Sequence, residues 1–270
     1  MGNRIRITET GKIATVTLSR GEKRNALDLD MINAIVETGE ALMQRQDIRA
    51  VVLCGEGPAF SAGLDTSTFQ LLIGEVAKSG GIMSRTHGLS NLFQRAAMVW
   101  AELPMPVIAA VHGYAFGGAF QIMLGADIRI ATPDAQFSIM EGKWGLVPDM
   151  GGMALMHHLS RGDIIRRLTY TAEIFGANEA QNWGFITEIE DDPLARATAL
   201  ANQIAARSPD AVRAAKALIT ATQDMDTKDA LLLESKAQEG LIGSPNQIEA
   251  LMAGFEKRSP DFKDGAAQKP

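Results

Sequence analysis

The amino-acid sequence predicts an α/β fold, with parallel strands in its core and a helical section towards its C-terminal end. Three segments rich in apolar residues, at 48–54, 106–111 and 128–131, are typical of buried strands, and the second of them is apolar throughout. A glycine-containing turn over 113–118 and a short helix separate the second strand from the third, as in a parallel crossover. From Met153 onward the pattern becomes that of amphipathic helices. This order indicates a layered α/β core followed by helices.

The remaining elements follow from local patterns along the chain. Alternating apolar and polar residues over 5–8 and 13–18 predict a β-hairpin. Apolar residues at helical spacing predict a helix over 29–45, for which Asp28 is a suitable N-cap. The irregular segment 66–90 is expected to form a mobile flap around a helix. The other predicted helices lie at 92–103, 119–126, 153–160, 162–171, 177–182, 193–207, 209–223, 227–241 and 245–257, with a short strand at 186–189.

The composition narrows the class of protein. Of the 270 residues, 46% are hydrophobic and 21% are charged, as in ordinary globular proteins. A formal net charge of −6 without a basic run argues against nucleic acid or a membrane surface as the main partner. Cys54 is the only cysteine and lies in an apolar run, so we expect a structural core thiol in a reducing, cytoplasmic compartment.

Several binding motifs are missing from the sequence. It has no apolar run of about 20 residues, so no membrane span is predicted. The 4 histidines lack metal-ligand spacing with other ligating residues, so no metal site is expected. Phosphate-binding and dinucleotide-binding glycine motifs are absent as well.

Two glycine-containing loops follow buried strands and are candidates for binding a ligand through backbone groups. In the first loop, Gly63 can direct the N–H of Leu64 outward. In the second loop, Gly117 and Gly118 precede a short helix, whose first N–H groups have no partner within the helix. The two loops together would form an oxyanion hole with two donors. The alternative for the first loop alone is a plain tight turn, and the double glycine of the second loop is a weak signal when it stands alone.

Two acidic residues are candidates for proton transfer. Glu141 lies among apolar residues where a strand gives way to a loop, so we expect its pKa to be raised. The alternative is a salt-bridged carboxylate on the surface. Asp149 precedes Gly151-Gly152, and its alternative role is to cap the helix that follows.

The two loops and the segment that carries Glu141 and Asp149, together with Arg24-Asn25-Ala26-Leu27, resemble motifs of the crotonase superfamily. This superfamily includes the enoyl-CoA hydratase/isomerase family. The resemblance extends over nearly the whole chain, as far as residues 255–258. It implies a crotonase-like spiral of ββα units over 1–195 that contains the active site. It also implies a helical trimerisation region over 196–263 and homotrimers that can pair into hexamers. The polar residues 264–270 are expected to form a disordered tail.

The resemblance further implies roles for particular residues. The N–H groups of Leu64 and Gly118 would form the oxyanion hole for an acyl-CoA thioester. The residues implied to line the coenzyme A channel are Arg24, Ala26, Leu27, Ala62, Asp65 and Gly117, with Phe255 and Lys257 approaching the site of a neighbouring subunit. No cofactor is implied, because coenzyme A enters only as part of the substrate.

Gln121 departs from the hydratase pattern of the family, which has one glutamate at this position and another at the position of Glu141. Because a carboxamide does not titrate, Gln121 is interpreted as a positioning residue that can hydrogen-bond a water. Isomerase-type proton transfer by Glu141 is therefore favoured over hydration. Asp149 matches the working aspartate of dienoyl-CoA isomerases and of a haloaroyl-CoA dehalogenase, so other crotonase reactions stay open.

A binding protein without catalytic activity is the alternative from another class. A chain that binds acyl-CoA without turnover would fit the loss of a glutamate at Gln121. An RNA-binding role, which one crotonase relative has, is disfavoured by the acidic composition and by the lack of a basic stripe.

Overall fold

The computed structural model describes residues 4–65 and 82–265, so the predicted flap over 66–90 lies mostly outside the described residues. Within these ranges, a six-stranded sheet forms the centre of the fold. In spatial order, its strands are β1 (Ile5–Thr10), β2 (Ile13–Leu18), β3 (Ala50–Gly55), β4 (Val107–Val111), β6 (Ile128–Ala131) and β9 (Glu188–Ile189). The first two pair antiparallel and all later neighbours pair parallel. The predicted hairpin and parallel core are confirmed.

The inner strands β3 and β4 of the central sheet are buried on both faces, which explains their apolar sequences. In β3, Val51 and Leu53 belong to the larger hydrophobic core, whereas Val52 and Cys54 belong to the cluster on the opposite face. Successive side chains of a strand point to opposite faces, so each face needs its own apolar cover. Helix α7 (Pro193–Ala205) supplies that cover on the second face.

Most helices begin and end close to their predicted positions. Before α7, the described helices are α1 (Leu29–Met43), α2 (Leu92–Glu102), α3 (Gly118–Leu124), α4 (Gly152–Met156), α5 (Gly162–Thr171) and α6 (Ala177–Asn182). After α7 follow α8 (Pro209–Thr222), α9 (Thr227–Leu241) and α10 (Pro245–Glu256). Asp28 caps α1 as predicted, because its carboxylate accepts a hydrogen bond of 2.8 Å from the N–H of Met31. None of the described helices is long and apolar enough to cross a membrane.

A second, three-stranded sheet corrects the sequence prediction. It consists of β5 (Tyr114–Phe116), β7 (Gln136–Ser138) and β8 (Phe175–Gly176). The turn predicted over 113–118 therefore contains a strand. Such a short strand is defined by its pairing with β7, a segment distant in sequence, and local glycine signals conceal it.

Two other predicted elements are shorter in the structure. The helix predicted over 153–160 ends at Met156, and the backbone then turns so that the carbonyl oxygen of Leu159 would lie 2.2 Å from a Cβ on Gly184. The strand predicted over 186–189 contains only the two residues of β9. It pairs with just Ile130 and Ala131 of the central sheet.

Helix α8 attaches to the core through a buried lysine. In α8, the Nζ of Lys216 donates to the carbonyl oxygens of Trp100 and Met105 and to the carboxylate of Asp127. By contrast, α9 has no buried residue.

The segment after α10 returns to the first hairpin. Asp264, the first residue of the predicted tail, accepts hydrogen bonds of 2.8 and 2.9 Å from Lys12, and residues 266–270 lie outside the described ranges. The predicted boundary at 195/196 falls within α7. The division into domains stays a prediction.

Candidate active site

Two loops meet backbone to backbone beyond the central sheet. Because β3 and β4 pair parallel, the loops that follow them leave the sheet at the same edge. Gly63 in the first loop has a φ of +84°, and a Cβ on it would lie 2.4 Å from the carbonyl oxygen of Phe116 in the second loop. Only glycine fits this position. The close approach brings Leu64 beside Gly117.

The start of α3 is packed equally tightly. Gly117, its N-cap, has φ +52° and ψ −120°, a conformation that favours glycine. Gly118 is buried, and a Cβ on it would lie 2.5 Å from Sδ of Met150 and 3.3 Å from Cδ1 of Leu27. The first residue of the helix therefore packs against apolar side chains, which leave no room for a side chain at position 118.

The predicted channel segment 24–27 joins the first loop through its backbone. Leu27 donates to the carbonyl oxygen of Gly63 at 2.8 Å and accepts from the N–H of Asp65 at 3.0 Å. The N–H of Ala62 donates to the carbonyl oxygen of Arg24 at 2.9 Å. These bonds hold Leu64 between two fixed neighbours.

Asn25 anchors this segment, a role that our sequence reasoning did not assign to it. It is fully buried at a φ of +53°, and its amide nitrogen donates to the carbonyl oxygens of Glu56, Ala59 and Phe60. Asparagine tolerates this left-handed conformation better than most residues. That tolerance is the signal in the sequence that could have identified it.

The backbone N–H groups of Leu64 and Gly118 lie at the junction of the loops. Within the described ranges, the N–H groups of Leu64 and Gly118 donate to no protein acceptor. Nearly all buried backbone groups of folded proteins have a partner. The arrangement is therefore suited to receive an oxygen atom of a ligand.

Gln121 occupies the centre of the site. It lies in α3 with none of its surface exposed. Its Oε1 accepts hydrogen bonds of 2.9 Å from the N–H groups of Met150 and Gly152, and its Nε2 donates to Oε1 of Glu141 at 2.6 Å. The carboxamide thus connects three segments of the site.

Glu141 is a half-buried carboxylate beside the two loops. It lies in the 3-10 turn Met140–Trp144, directly after β7, and its Oε1 would be 3.4 Å from a Cβ on Gly117. Burial raises the pKa of the Glu141 carboxyl, as predicted, and the nearby charge of Asp149 raises it further. Its Oε2 is buried without a hydrogen-bond partner among the described residues. Glu141 is therefore not the salt-bridged surface acid of the alternative interpretation.

Asp149 lies close enough to Glu141 for their charges to interact. The residue is exposed, but desolvation of its carboxyl group raises its pKa. Asp149 does not cap α4, because the N-cap of this helix is Gly151 and no side chain caps it. The capping role that the sequence left open is therefore wrong.

Four other predicted site residues have different surroundings. Asp65 forms an ion pair of 2.7 Å with Arg20, which the sequence did not single out, and the side chain of Arg24 is exposed. Phe255 and Lys257 lie exposed at the end of α10 and form no hydrogen bond to either loop among the described residues. Within the single chain, these two residues do not join the site.

Comparison with known proteins shows the family to which the chain belongs. The family model for enoyl-CoA hydratase/isomerase matches residues 8–265. A carnitinyl-CoA dehydratase of Shigella flexneri is 31% identical over 273 residues, which cover 97% of this chain and 99% of the relative. A short-chain-enoyl-CoA hydratase of Clostridium acetobutylicum is 31% identical over 261 residues, which cover 95% and 96%.

Solved structures give the same result at the level of the fold. An enoyl-CoA hydratase from Bacillus anthracis has a TM-score of 0.88 at 27% identity, covering 96% of this chain and 99% of that one. An enoyl-CoA hydratase from Shewanella pealeana has a TM-score of 0.85 at 28% identity, covering 96% and 95%. The chain belongs to the enoyl-CoA hydratase/isomerase family of the crotonase superfamily. The predicted α/β crotonase-like fold is confirmed.

Proposed function

We propose that this chain is an enzyme that acts on acyl-CoA thioesters and stabilises their enolates between the N–H groups of Leu64 and Gly118. The observation that carries the proposal is the carboxylate of Glu141, whose Oε1 would lie 3.4 Å from a Cβ on Gly117 and whose Oε2 is buried without a partner among the described residues. Enolate formation needs a base near the α-carbon and donors near the thioester oxygen. Each such donor contributes about 10²–10³ in rate. The names of the relatives support an acyl-CoA substrate.

The reaction we favour is the conversion of a 3-enoyl-CoA into a 2-enoyl-CoA. Oε2 of Glu141 takes a proton from the α-carbon, and the electrons of that C–H bond move towards the thioester oxygen. The resulting dienolate then takes the same proton back at its γ-carbon, while the double bond forms between the α- and β-carbons. The overall reaction consumes nothing else, and Glu141 returns to its ionised state.

Gln121 favours this isomerisation over hydration. Its Oε1 already accepts two backbone hydrogen bonds, and its amide has no titratable proton. Syn hydration needs a second acid or base to share the work with Glu141, and a carboxamide does not replace it. A single carboxylate is enough for a proton shift within one substrate molecule.

Two other crotonase reactions are candidates, each supported by one observation. Hydration of a 2-enoyl-CoA agrees with the names of both relatives. Isomerisation of a dienoyl-CoA agrees with the proximity of Asp149 to Glu141, because a longer shift needs a second group that moves protons. The raised pKa values of both carboxyls suit them for such work near neutral pH.

We also propose that the chain assembles into homotrimers, alone or paired into hexamers, in which a neighbour completes the coenzyme A site. Helix α9 leaves Leu231 and Leu232 exposed by 56% and 68%, and Phe255 on α10 is exposed by 75%. Apolar side chains that cluster on exposed helices are typical of subunit interfaces. Phe255 and Lys257 would then meet the channel residues Arg24, Ala26 and Ala62 of another subunit.

The absorbance of the conjugated enoyl thioester tests the reaction. We expect purified protein to raise this absorbance when it is given 3-hexenoyl-CoA and to leave it nearly unchanged with crotonyl-CoA. A fall with crotonyl-CoA would mean that hydration proceeds despite Gln121. A third outcome is that neither substrate changes the absorbance. If 2,4-dienoyl, haloacyl and hydroxyacyl thioesters then gave no turnover either, while acyl-CoA bound tightly, the chain would be a binding protein.

A further inference from the structure

We infer that Gln121 is a positioning residue that selects which oxygen of the Glu141 carboxylate moves the proton. The inference deepens the proposed function and rests on it for the identity of the base. It starts from the complete burial of Gln121, which removes its carboxamide from bulk solvent. Buried polar groups of this kind are held by specific partners.

The backbone dictates the orientation of the carboxamide. The N–H groups of Met150 and Gly152 both point at Oε1 of Gln121, at 2.9 Å each. A backbone N–H can only donate, so the oxygen of the amide must face these groups. A rotation of the amide by half a turn would set its own N–H groups against them. The nitrogen must therefore face Glu141.

This orientation makes the two oxygens of Glu141 unequal. Nε2 of Gln121 donates to Oε1 of Glu141 at 2.6 Å, while Oε2 has no partner among the described residues. A hydrogen bond lowers the basicity of the oxygen that accepts it and holds the carboxylate in one rotamer. Oε2 is thus the more basic oxygen, and its direction is fixed by Gln121.

Gly152 permits the geometry from the other side. A Cβ on this residue would lie 2.6 Å from Oε1 and 2.6 Å from Cγ of Gln121. The start of α4 can approach the carboxamide only because position 152 carries no side chain. The same contact gives a second way to disturb Gln121 without changing its identity.

The first test variant is Gln121→Glu. Its carboxylate still accepts from Met150 and Gly152, so the fold around it is retained, but the donor to Glu141 is lost. Two carboxylates at this distance share one proton, and their titrations become coupled. Gln203→Glu adds the same charge at an exposed position of α7 and is the matched control.

The titration of Glu141 is measured directly by carbon NMR of protein labelled at the side-chain carboxyl of glutamate. The Glu141 signal is assigned by its loss in Glu141→Gln. We expect Gln121→Glu to raise the apparent pKa of the pair by about one pH unit or more, and Gln203→Glu to leave it unchanged. The exchange of the α-protons of butyryl-CoA in D2O should show its acidic limb at a correspondingly higher pH.

Gly152→Ala supplies a second variant, in which a methyl group displaces the carboxamide. It should also raise the pKa of Glu141, because the N–H donor moves away. If neither variant moves this titration, Gln121 does not act on Glu141 and the inference is overturned. If the variants lowered the rate of α-proton exchange equally at every pH, Gln121 would have a merely structural role, and this result would overturn the inference as well.

The two measurements also separate the inference from the proposed function. A shifted titration of Glu141 in a protein whose wild type exchanges no α-proton would keep the positioning role and reject the proposed reaction. Exchange in the wild type, together with an unmoved titration, would keep the reaction and reject the role of Gln121.

Discussion

Gly63 faces the carbonyl oxygen of Phe116 so closely that a methyl group on Gly63 would lie 2.4 Å from that oxygen. This contact joins the loops after β3 and β4, and with them the two N–H groups that we propose as the oxyanion hole. The absence of one side chain thus sets the distance between the two halves of the site.

Replacing Gly63 with alanine should damage both folding and activity. The left-handed backbone alone costs roughly 1–2 kcal/mol for a residue with a Cβ, and the clash with Phe116 adds to this. We expect a lower melting temperature and a loss of isomerase activity by about 100-fold, which is the value of one oxyanion donor.

The control for this variant is Gly240→Ala in α9, where no atom lies within 4 Å of the added Cβ. There the change should stabilise the helix by roughly 0.5–1 kcal/mol. Equal effects of both substitutions on the melting temperature would contradict the argument from the contact.

Glu141→Gln should abolish proton transfer while keeping the network intact. The new carboxamide can still accept the hydrogen bond from Gln121, but it does not take up a proton from the α-carbon. We expect α-proton exchange to fall by about 10²–10⁴. The exposed Glu190 provides the matched control, because Glu190→Gln removes the same charge at the surface. Undiminished exchange in Glu141→Gln would remove this residue from the mechanism.

The same substitution predicts a pH-dependent gain in stability. Burial raises the pKa of Glu141 above its ordinary value of 4.5, so the folded chain holds this proton more tightly than the unfolded chain. The free energy of unfolding therefore falls as the pH rises from 4.5 through the raised pKa. Glu141→Gln should melt at a higher temperature than the wild type near neutral pH.

The difference in melting temperature between Glu141→Gln and the wild type should vanish in acid. Below the ordinary pKa, Glu141 is protonated in both the folded and the unfolded chain. Thermal melts of the two proteins between pH 4 and pH 8 (about the range in which both stay folded) measure it. A constant difference across this range would mean that the titration of Glu141 is not its cause.

Leu232→Glu should weaken the proposed assembly. Leu232 is 68% exposed on α9, so a charge there costs the single chain little but would be buried against a neighbour. Light scattering after size-exclusion chromatography should show smaller particles for this variant and unchanged ones for Gln203→Glu. A wild type that is itself monomeric would refute the proposed homotrimer.

The parts of the fold that the sequence predicts are those with strong local patterns. The runs around Val52 and Ile108 indicate buried strands because both faces of the sheet demand apolar residues. The second sheet was missed because Tyr114 and Phe116 gain their strand conformation only through pairing with Gln136 and Ser138. Such pairing is a tertiary contact, and no local period reports it.

The sequence likewise identifies some residues of the candidate site and not others. Gly63, Gly118 and Glu141 could be identified because small residues and an acid among apolar neighbours are unusual after buried strands. The contact between Gln121 and Glu141 could not, since it depends on a hydrogen bond between segments 20 positions apart. Arg20, which pairs with Asp65, has no distinguishing pattern in the sequence at all.

The reactivity of Cys54 can be used to measure the opening of the central sheet. It is the only thiol of the chain, it is 5% exposed, and burial raises its pKa. A thiol reagent needs the thiolate and a path to it, and the folded chain withholds both. The rate at which the native protein is labelled should therefore follow the population of the state in which β3 is separated from its cover, as long as reclosing is faster than labelling. Labelling of this one natural thiol thus measures how often the sheet opens locally, without any introduced probe.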